Sequence, residues 1–143
     1  ACGRPVLERI VSMEHRPLIW GISMLTSIDE QVYQELGLQK TIIDQVVRLA
    51  ELGASCGVDG IVCSPNEVAV LKKRAIVGGR GITLITPGIR MGTAVERDDQ
   101  KRAATPSFAR QQGADFIVVG RPVLEAPVPA RAAAMINNEL RAV

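Results

Sequence analysis

Four short apolar runs, Pro17–Leu25, Gly60–Cys63, Ile82–Thr86 and Phe116–Val119, constrain this chain more than any other feature. Each is rich in Ile and Val, is bounded by Gly, Pro or Ser, and is too short for a helix. They are expected to be strands buried on both faces. Helical patterns lie between and after them: Leu38–Cys56, Pro65–Ala75, Pro106–Gln112 and Ala130–Ala142. Strand alternating with helix is the pattern of βα units on a parallel sheet, which places the chain in the α/β class.

The helix ends are marked. Ser64-Pro65-Asn66-Glu67 offers Ser as N-cap, Pro at the first helical position and Glu at the third. Thr105-Pro106 repeats the first two signals, and Gly57 and Gly113 stand where helices should stop. No linker or low-complexity segment divides residues 1–143, so one domain is expected. That length suffices for a core. Hydrophobic residues make up 47% and aromatics 3%, so the core must be aliphatic, as suits a sheet covered by helices.

Composition also excludes function classes. A formal charge of +2 with scattered basic residues is no footprint for nucleic acid, and Lys72-Lys73-Arg74 reads as a solvated helix face. Cys2, Cys56 and Cys63 lack metal-ligand spacing, and Cys63 inside an apolar run is expected to be a buried reduced thiol. That usage fits a cytoplasmic protein. No run reaches the length of a membrane span, and the first residues lack a signal-peptide layout, so no membrane partner is expected. Ala1-Cys2-Gly3, without an initiator Met, resembles the inside of a protein.

Four strands leave two architectures open: a doubly wound sheet, or half of an eight-stranded barrel with two open edges. In both, ligands bind beyond the C-terminal ends of the strands. The residues there are Thr26-Ser27-Ile28-Asp29, Ser64-Pro65, Thr86-Pro87-Gly88-Ile89-Arg90 and Gly120-Arg121-Pro122. Two of these segments carry Gly near Arg. Glycine lets the backbone approach a ligand, and a guanidinium fork matches phosphate oxygens. The polar stretch Met91–Arg102, which includes Gln100, has the length of an active-site lid, or of a solvated connection. Ser64 and Thr105 read as helix caps and His15 as a surface residue. Thr26 and Ser27 could cap the turn into Glu30 or touch a ligand.

These segments resemble those of the orotidine 5'-phosphate decarboxylase family. Leu25-Thr26-Ser27-Ile28-Asp29-Glu30 is similar to the segment after the family's fifth barrel strand, and Gly57–Ser64 to its sixth strand. Thr86–Arg90, followed by Asp99-Gln100-Lys101-Arg102 and Thr105-Pro106, resembles the seventh strand and its phosphate-gripping loop. Gly120-Arg121-Pro122-Val123 resembles the end of the eighth. The four motifs come in the family's order across almost the whole chain.

The resemblance implies a (β/α)8 TIM barrel of which this chain carries roughly strands 5–8. It implies decarboxylation of orotidine 5'-monophosphate to uridine 5'-monophosphate, in pyrimidine synthesis, without metal or organic cofactor. By the same resemblance, Arg121 and the Gly120 backbone hold the phosphate, Gln100 closes over it, and Arg90 lies beside it. Thr26, with Ser27 next to it, faces the pyrimidine or ribose. A cytoplasmic homodimer is implied as well.

There are departures. The family's chemistry rests on a Lys and Asp array around a motif like Asp-x-Lys-x-x-Asp, which does not occur here. Ala1-Cys2-Gly3 resembles the end of the fourth strand, so this half is expected to need an N-terminal half for catalysis, with no catalytic residue of its own. Asp98 stands where many members have Gly, and Ser23 where Thr is common. The competing expectation is a catalytically silent half-barrel that binds a phosphate or a protein partner. A related sugar-phosphate decarboxylase is disfavoured by the Asp-Gln-Lys-Arg motif.

Overall fold

The computed structural model describes residues 2–74, 81–91 and 104–142. Four strands, β1 (Trp20–Ile22), β2 (Gly60–Val62), β3 (Thr83–Thr86) and β4 (Phe116–Ile117), form one sheet in the order β1-β2-β3-β4. Every pairing is parallel, with Trp20 opposite Gly60, Gly60 opposite Thr83, and Ile85 opposite Phe116. Among the described residues seven α-helices accompany them: α1 (Gly3–Val11), α2 (Glu30–Glu35), α3 (Ile42–Cys56), α4 (Val68–Arg74), α5 (Pro106–Gln111), α6 (Arg121–Leu124) and α7 (Pro129–Arg141).

Strand order follows chain order with no reversal, and the core lies on one face of the sheet. That core joins Ile61, Cys63 and Leu84 to Ile42, Val46, Val47 and Ala50 of α3 and to Val68 and Leu71 of α4. Burial of each such aliphatic side chain contributes about 1.5–3 kcal/mol. The opposite face is covered only in part: Ile85 lies there beside Gly60 and is buried. Trp20 and Ile22 on β1, with Phe116 and Val118 at β4, are large apolar residues left exposed there. The expectation of strands buried on both faces therefore fails at the two edges. A sheet wound on one side only is the barrel alternative, not the doubly wound one.

The sheet curls around that face. Trp20 and Phe116, on opposite edge strands, stack with centroids 6.2 Å apart and planes inclined by 26°. Gly60 makes this possible, since an added Cβ would meet Trp20 Cδ1, Ile85 Cδ1 and the Thr83 carbonyl oxygen, each at 2.9 Å.

The N-terminal ends of the strands are tied by a repeated device. Asp59 accepts the Ile19 N–H (2.7 Å) and pairs with Arg16, while Asp115 accepts the Leu84 N–H (2.7 Å) and pairs with Lys72 at 2.8 Å. Each Asp thus fixes the strand before it and draws in a cation. Lys72 is therefore engaged with Asp115, which corrects the reading of Lys72-Lys73-Arg74 as a merely solvated face.

The helix boundaries follow local chemistry. Ser64 and Glu67 form the expected capping box, but the first turn, Pro65–Glu67, is a 3-10 turn ahead of α4. Thr41 caps α3 through Asp44 N–H, so this helix starts at Ile42 instead of Leu38. Thr105 caps α5 through the Phe108 N–H. Gly57 and Gly113 end their helices at φ +87° and +95°. Asp29, and not Thr26 or Ser27, is the side-chain cap of α2, accepting from Val32 N–H at 2.9 Å.

Candidate functional site

The C-terminal ends of the strands form a rim built by their connecting turns. Beyond β3, Gly88 turns the chain at φ +76°, a conformation that suits glycine. Ile89 then forms a parallel bridge with Ala104. Two backbone bonds close it, Arg90 N–H to Ala104 O (2.9 Å) and Ala104 N–H to Gly88 O (3.1 Å). The chain on either side of residues 92–103 is therefore pinned to the top of β3.

The return leg is fastened from below. Glu139 of α7 accepts the Ser107 N–H (3.1 Å) and hydroxyl (2.8 Å), and the Ser107 hydroxyl lies 3.0 Å from that of Thr105. The sequence reading missed Glu139, because a partner 32 positions away leaves no local signal.

Each candidate side chain has a definite place. Arg90 is buried, and its Nη1 donates to the Ile89 carbonyl at 2.8 Å. Gly120 and Arg121 are exposed at the start of α6, just past β4. An added Cβ at Gly120 would meet no protein atom within 4 Å, so packing does not require glycine there. Because β3 and β4 are hydrogen-bonded neighbours, the turns bearing Arg90 and Gly120-Arg121 leave adjacent strands. Thr86 ties the tops of these strands together, its hydroxyl donating to the Phe116 carbonyl at 3.0 Å.

Thr26 is buried in the turn after β1, which the Ile28 N–H closes onto Leu25 O at 3.1 Å. It shares the rim but follows β1, the edge strand opposite β4 in the strand order. Gln100 lies outside the described residues, as do Asp98, Asp99, Lys101 and Arg102. His15 is exposed, 3.8 Å from the Glu14 carboxylate.

Other clefts are less suited to chemistry. Two on the outer helices, about 500 and 540 Å³, share Arg48, Glu51 and Arg74, exposed charges of both signs. Among the described residues, no three His, Cys, Asp or Glu side chains group as a metal site. No described helix is long and apolar enough to cross a membrane.

Comparison with known proteins gives a consistent answer. The sequence model of the Orotidine 5'-phosphate decarboxylase / HUMPS family matches residues 3–136. An orotidine 5'-phosphate decarboxylase of Coxiella burnetii is 39% identical over 145 residues, covering 97% of this chain and 60% of the relative. One from Geotalea daltonii is 40% identical over 134 residues, covering 94% and 54%. The crystal structure of orotidine 5'-phosphate decarboxylase from Lactobacillus acidophilus superposes with a TM-score of 0.75 at 29% identity, over 96% of this chain and 59% of that one. The chain thus spans little more than half the length of these relatives.

Proposed function

The chain belongs to the orotidine 5'-phosphate decarboxylase / HUMPS family, and from this we propose that it supplies strands 5–8 of a (β/α)8 barrel that binds a nucleotide monophosphate. The activity is decarboxylation of orotidine 5'-monophosphate to uridine 5'-monophosphate. This chain contributes the phosphate- and ligand-binding side, and the catalytic Lys and Asp come from residues beyond it. The proposed assembly is a cytoplasmic homodimer of such barrels, working without metal or organic cofactor.

One observation supports this reading above the rest. An exposed arginine, Arg121, follows a glycine with open space around it, on the strand beside the one that carries buried Arg90. A backbone with no side chain in the way and a guanidinium fork together suit phosphate oxygens. Arg121 and the Gly120 backbone hold the phosphate in this reading. Arg90 supports the turn beside it, Gln100 closes over it, and Thr26 faces the ribose or pyrimidine from the far edge.

The test is a titration with uridine 5'-monophosphate. The protein is a barrel reconstituted from this chain and the N-terminal four-tenths of a relative. A charge-assisted hydrogen bond contributes about 1.5–3 kcal/mol, so Arg121→Ala should weaken binding roughly ten- to a hundred-fold. Binding as tight as that of the parent would overturn the phosphate assignment and favour a half-barrel with no nucleotide site.

A further inference from the structure

The two clefts on the outer helices, about 500 and 540 Å³, adjoin along Arg48, Glu51 and Arg74. Each has the volume of a small-molecule site, and the two together exceed what an inorganic anion needs. Their walls come from α1, α3, the last residue of α4 and the segment just before α3. None of these residues belongs to the rim turns.

The charges there are unbalanced. Four cations, Arg4, Lys40, Arg48 and Arg74, stand with two carboxylates, Asp44 and Glu51. Arg4 is fixed to the wall, its Nη2 donating to the Ser55 hydroxyl at 3.0 Å and its Nη1 lying 3.3 Å from Glu8. Asp44 precedes Arg48 by one turn, the spacing of a helical ion pair. Its carboxylate instead accepts the Thr41 hydroxyl at 2.7 Å. Among the described residues, Lys40, Arg48, Glu51 and Arg74 form no ion pair.

Two guanidinium groups that share a cleft repel each other, and an anion between them removes that repulsion. The carbonyl end of a helix attracts cations, which accounts for Arg74 at the close of α4. It does not account for the meeting of Arg74 with Arg48 and Lys40, which belong to α3 and the segment ahead of it.

Beyond their junction the clefts differ in chemistry. Leu52 and Ala54 line one, and Gln39, Lys40 and Thr41 line the other. A ligand spanning both has an apolar ring at one end and a run of negative charge at the other. Glu51, at the junction, is an acceptor for hydroxyl groups between the two. That is the outline of a nucleotide with several phosphates.

We infer that the double cleft binds a nucleoside triphosphate, at a site separate from the rim at the strand ends. The base lies on Leu52 and Ala54, the ribose hydroxyls donate to Glu51, and the phosphates meet Arg48, Arg74 and Lys40. Guanidinium forks match phosphate oxygens, and the lysine adds a point charge. The inference does not rest on the proposed function.

The test is an isothermal titration of the chain, alone and in the reconstituted barrel, with adenosine 5'-triphosphate at about 150 mM salt, where distant surface charges are screened. Adenosine and inorganic triphosphate are the partial probes. The nucleotide should bind, and each partial probe should bind at least about ten-fold more weakly, since each lacks one end of the ligand. Arg48→Gln and Arg74→Gln should each weaken nucleotide binding roughly ten- to a hundred-fold, the effect of losing a charge-assisted hydrogen bond. Both residues are exposed, so the variants should keep the circular dichroism of the parent. Should either unfold, Lys40→Gln, exposed and outside any helix, supplies the same comparison. Arg131→Gln, exposed on α7, should change nothing.

Four results would overturn the inference. They are no binding of the triphosphate, inorganic triphosphate binding as tightly as the nucleotide, an Arg131→Gln loss equal to that of Arg48→Gln, or loss of triphosphate binding in Arg121→Ala. The last would put the ligand on the rim. Uridine 5'-monophosphate binding is titrated separately, so either idea can fail without the other.

Discussion

Arg16 and Asp59, 43 positions apart, meet through the two terminal guanidinium nitrogens, at 2.5 and 3.2 Å, where the chain enters the sheet. The same carboxylate takes the Ile19 N–H at 2.7 Å, so one side chain fixes both the approach to β1 and its alignment with β2.

That relationship sets a pH dependence. The hydrogen bonds from Arg16, then the one from Ile19, hold the Asp59 carboxyl below the usual carboxylate range. The lowered folded-state value means that the contribution is complete above the unfolded value, about 4, and is lost as pH falls through the folded one. Urea unfolding at a series of acidic pH values should show the loss, and Asp59→Asn should flatten it. An unchanged acid limb in the variant would show that Asp59 has no such role.

Two glycines should respond oppositely to alanine. Gly60→Ala drives a methyl against the Thr83 carbonyl, Ile85 and Trp20, and overpacking of this kind costs about 1–3 kcal/mol. Gly120→Ala meets nothing in the protein and should change stability by less than about 0.5 kcal/mol. It should nevertheless weaken uridine 5'-monophosphate binding in the reconstituted barrel. Denaturant midpoints and a nucleotide titration on both variants give the comparison.

The capping box after β2 is a stability device. Ser64 is fully buried, its hydroxyl accepts the Asn66 N–H, and Glu67 accepts the Ser64 N–H at 2.9 Å. Ser64→Ala should lower unfolding free energy by about 0.5–2 kcal/mol. Chemical denaturation measures it, and a loss of binding without a loss of stability would point instead to a ligand contact.

Much of this was legible beforehand, for physical reasons that differ by element. The strands showed because β-branched runs such as Gly60-Ile61-Val62-Cys63 stop at turn residues, and the caps at Ser64 and Thr105 because a hydroxyl before Pro has few other uses. The helices α1, α2 and α6 were not foreseen. Residues Gly3–Val11 include none that is buried, α2 has six residues and α6 four, too short for a period to register. Candidate residues Thr26, Arg90, Gly120 and Arg121 were found by reading past each strand. The Arg16–Asp59 and Ser107–Glu139 contacts were not, since pairing across the fold is written in no local pattern. The repeat Gly57-Val58-Asp59 and Gly113-Ala114-Asp115 could have disclosed the carboxylate device.

In the reconstituted barrel, a graded series should separate phosphate contact from bystander charge. On the proposed reading, in which Gln100 closes over the phosphate, Gln100→Ala should cost about 0.5–1.5 kcal/mol of uridine 5'-monophosphate binding, less than Arg121→Ala. Lys73→Ala, an exposed residue on α4, should leave affinity unchanged. Isothermal titration of the three variants tests the order, and a Lys73 effect matching that of Arg121 would reduce the site to general charge attraction.

Turnover should require the other half. General acid chemistry needs a positioned proton donor, and these 143 residues contain no Asp-x-Lys-x-x-Asp motif. The purified chain should give no decarboxylation of orotidine 5'-monophosphate, and mixing in the N-terminal part of a relative should produce it. Measurable turnover by the chain alone, with its mass verified, would remove the reading.

The strand order has a consequence for how the fold is reached. Each strand pairs with its successor along the chain, so the sheet lengthens in the direction in which a ribosome delivers it. β1 and β2 can register while later segments are still being made. The Trp20–Phe116 stack has to wait for the last strand. It therefore comes after the earlier pairings during synthesis, and until it forms the indole lacks that ring partner. A protein whose strand neighbours lay far apart in sequence would have no such vectorial order.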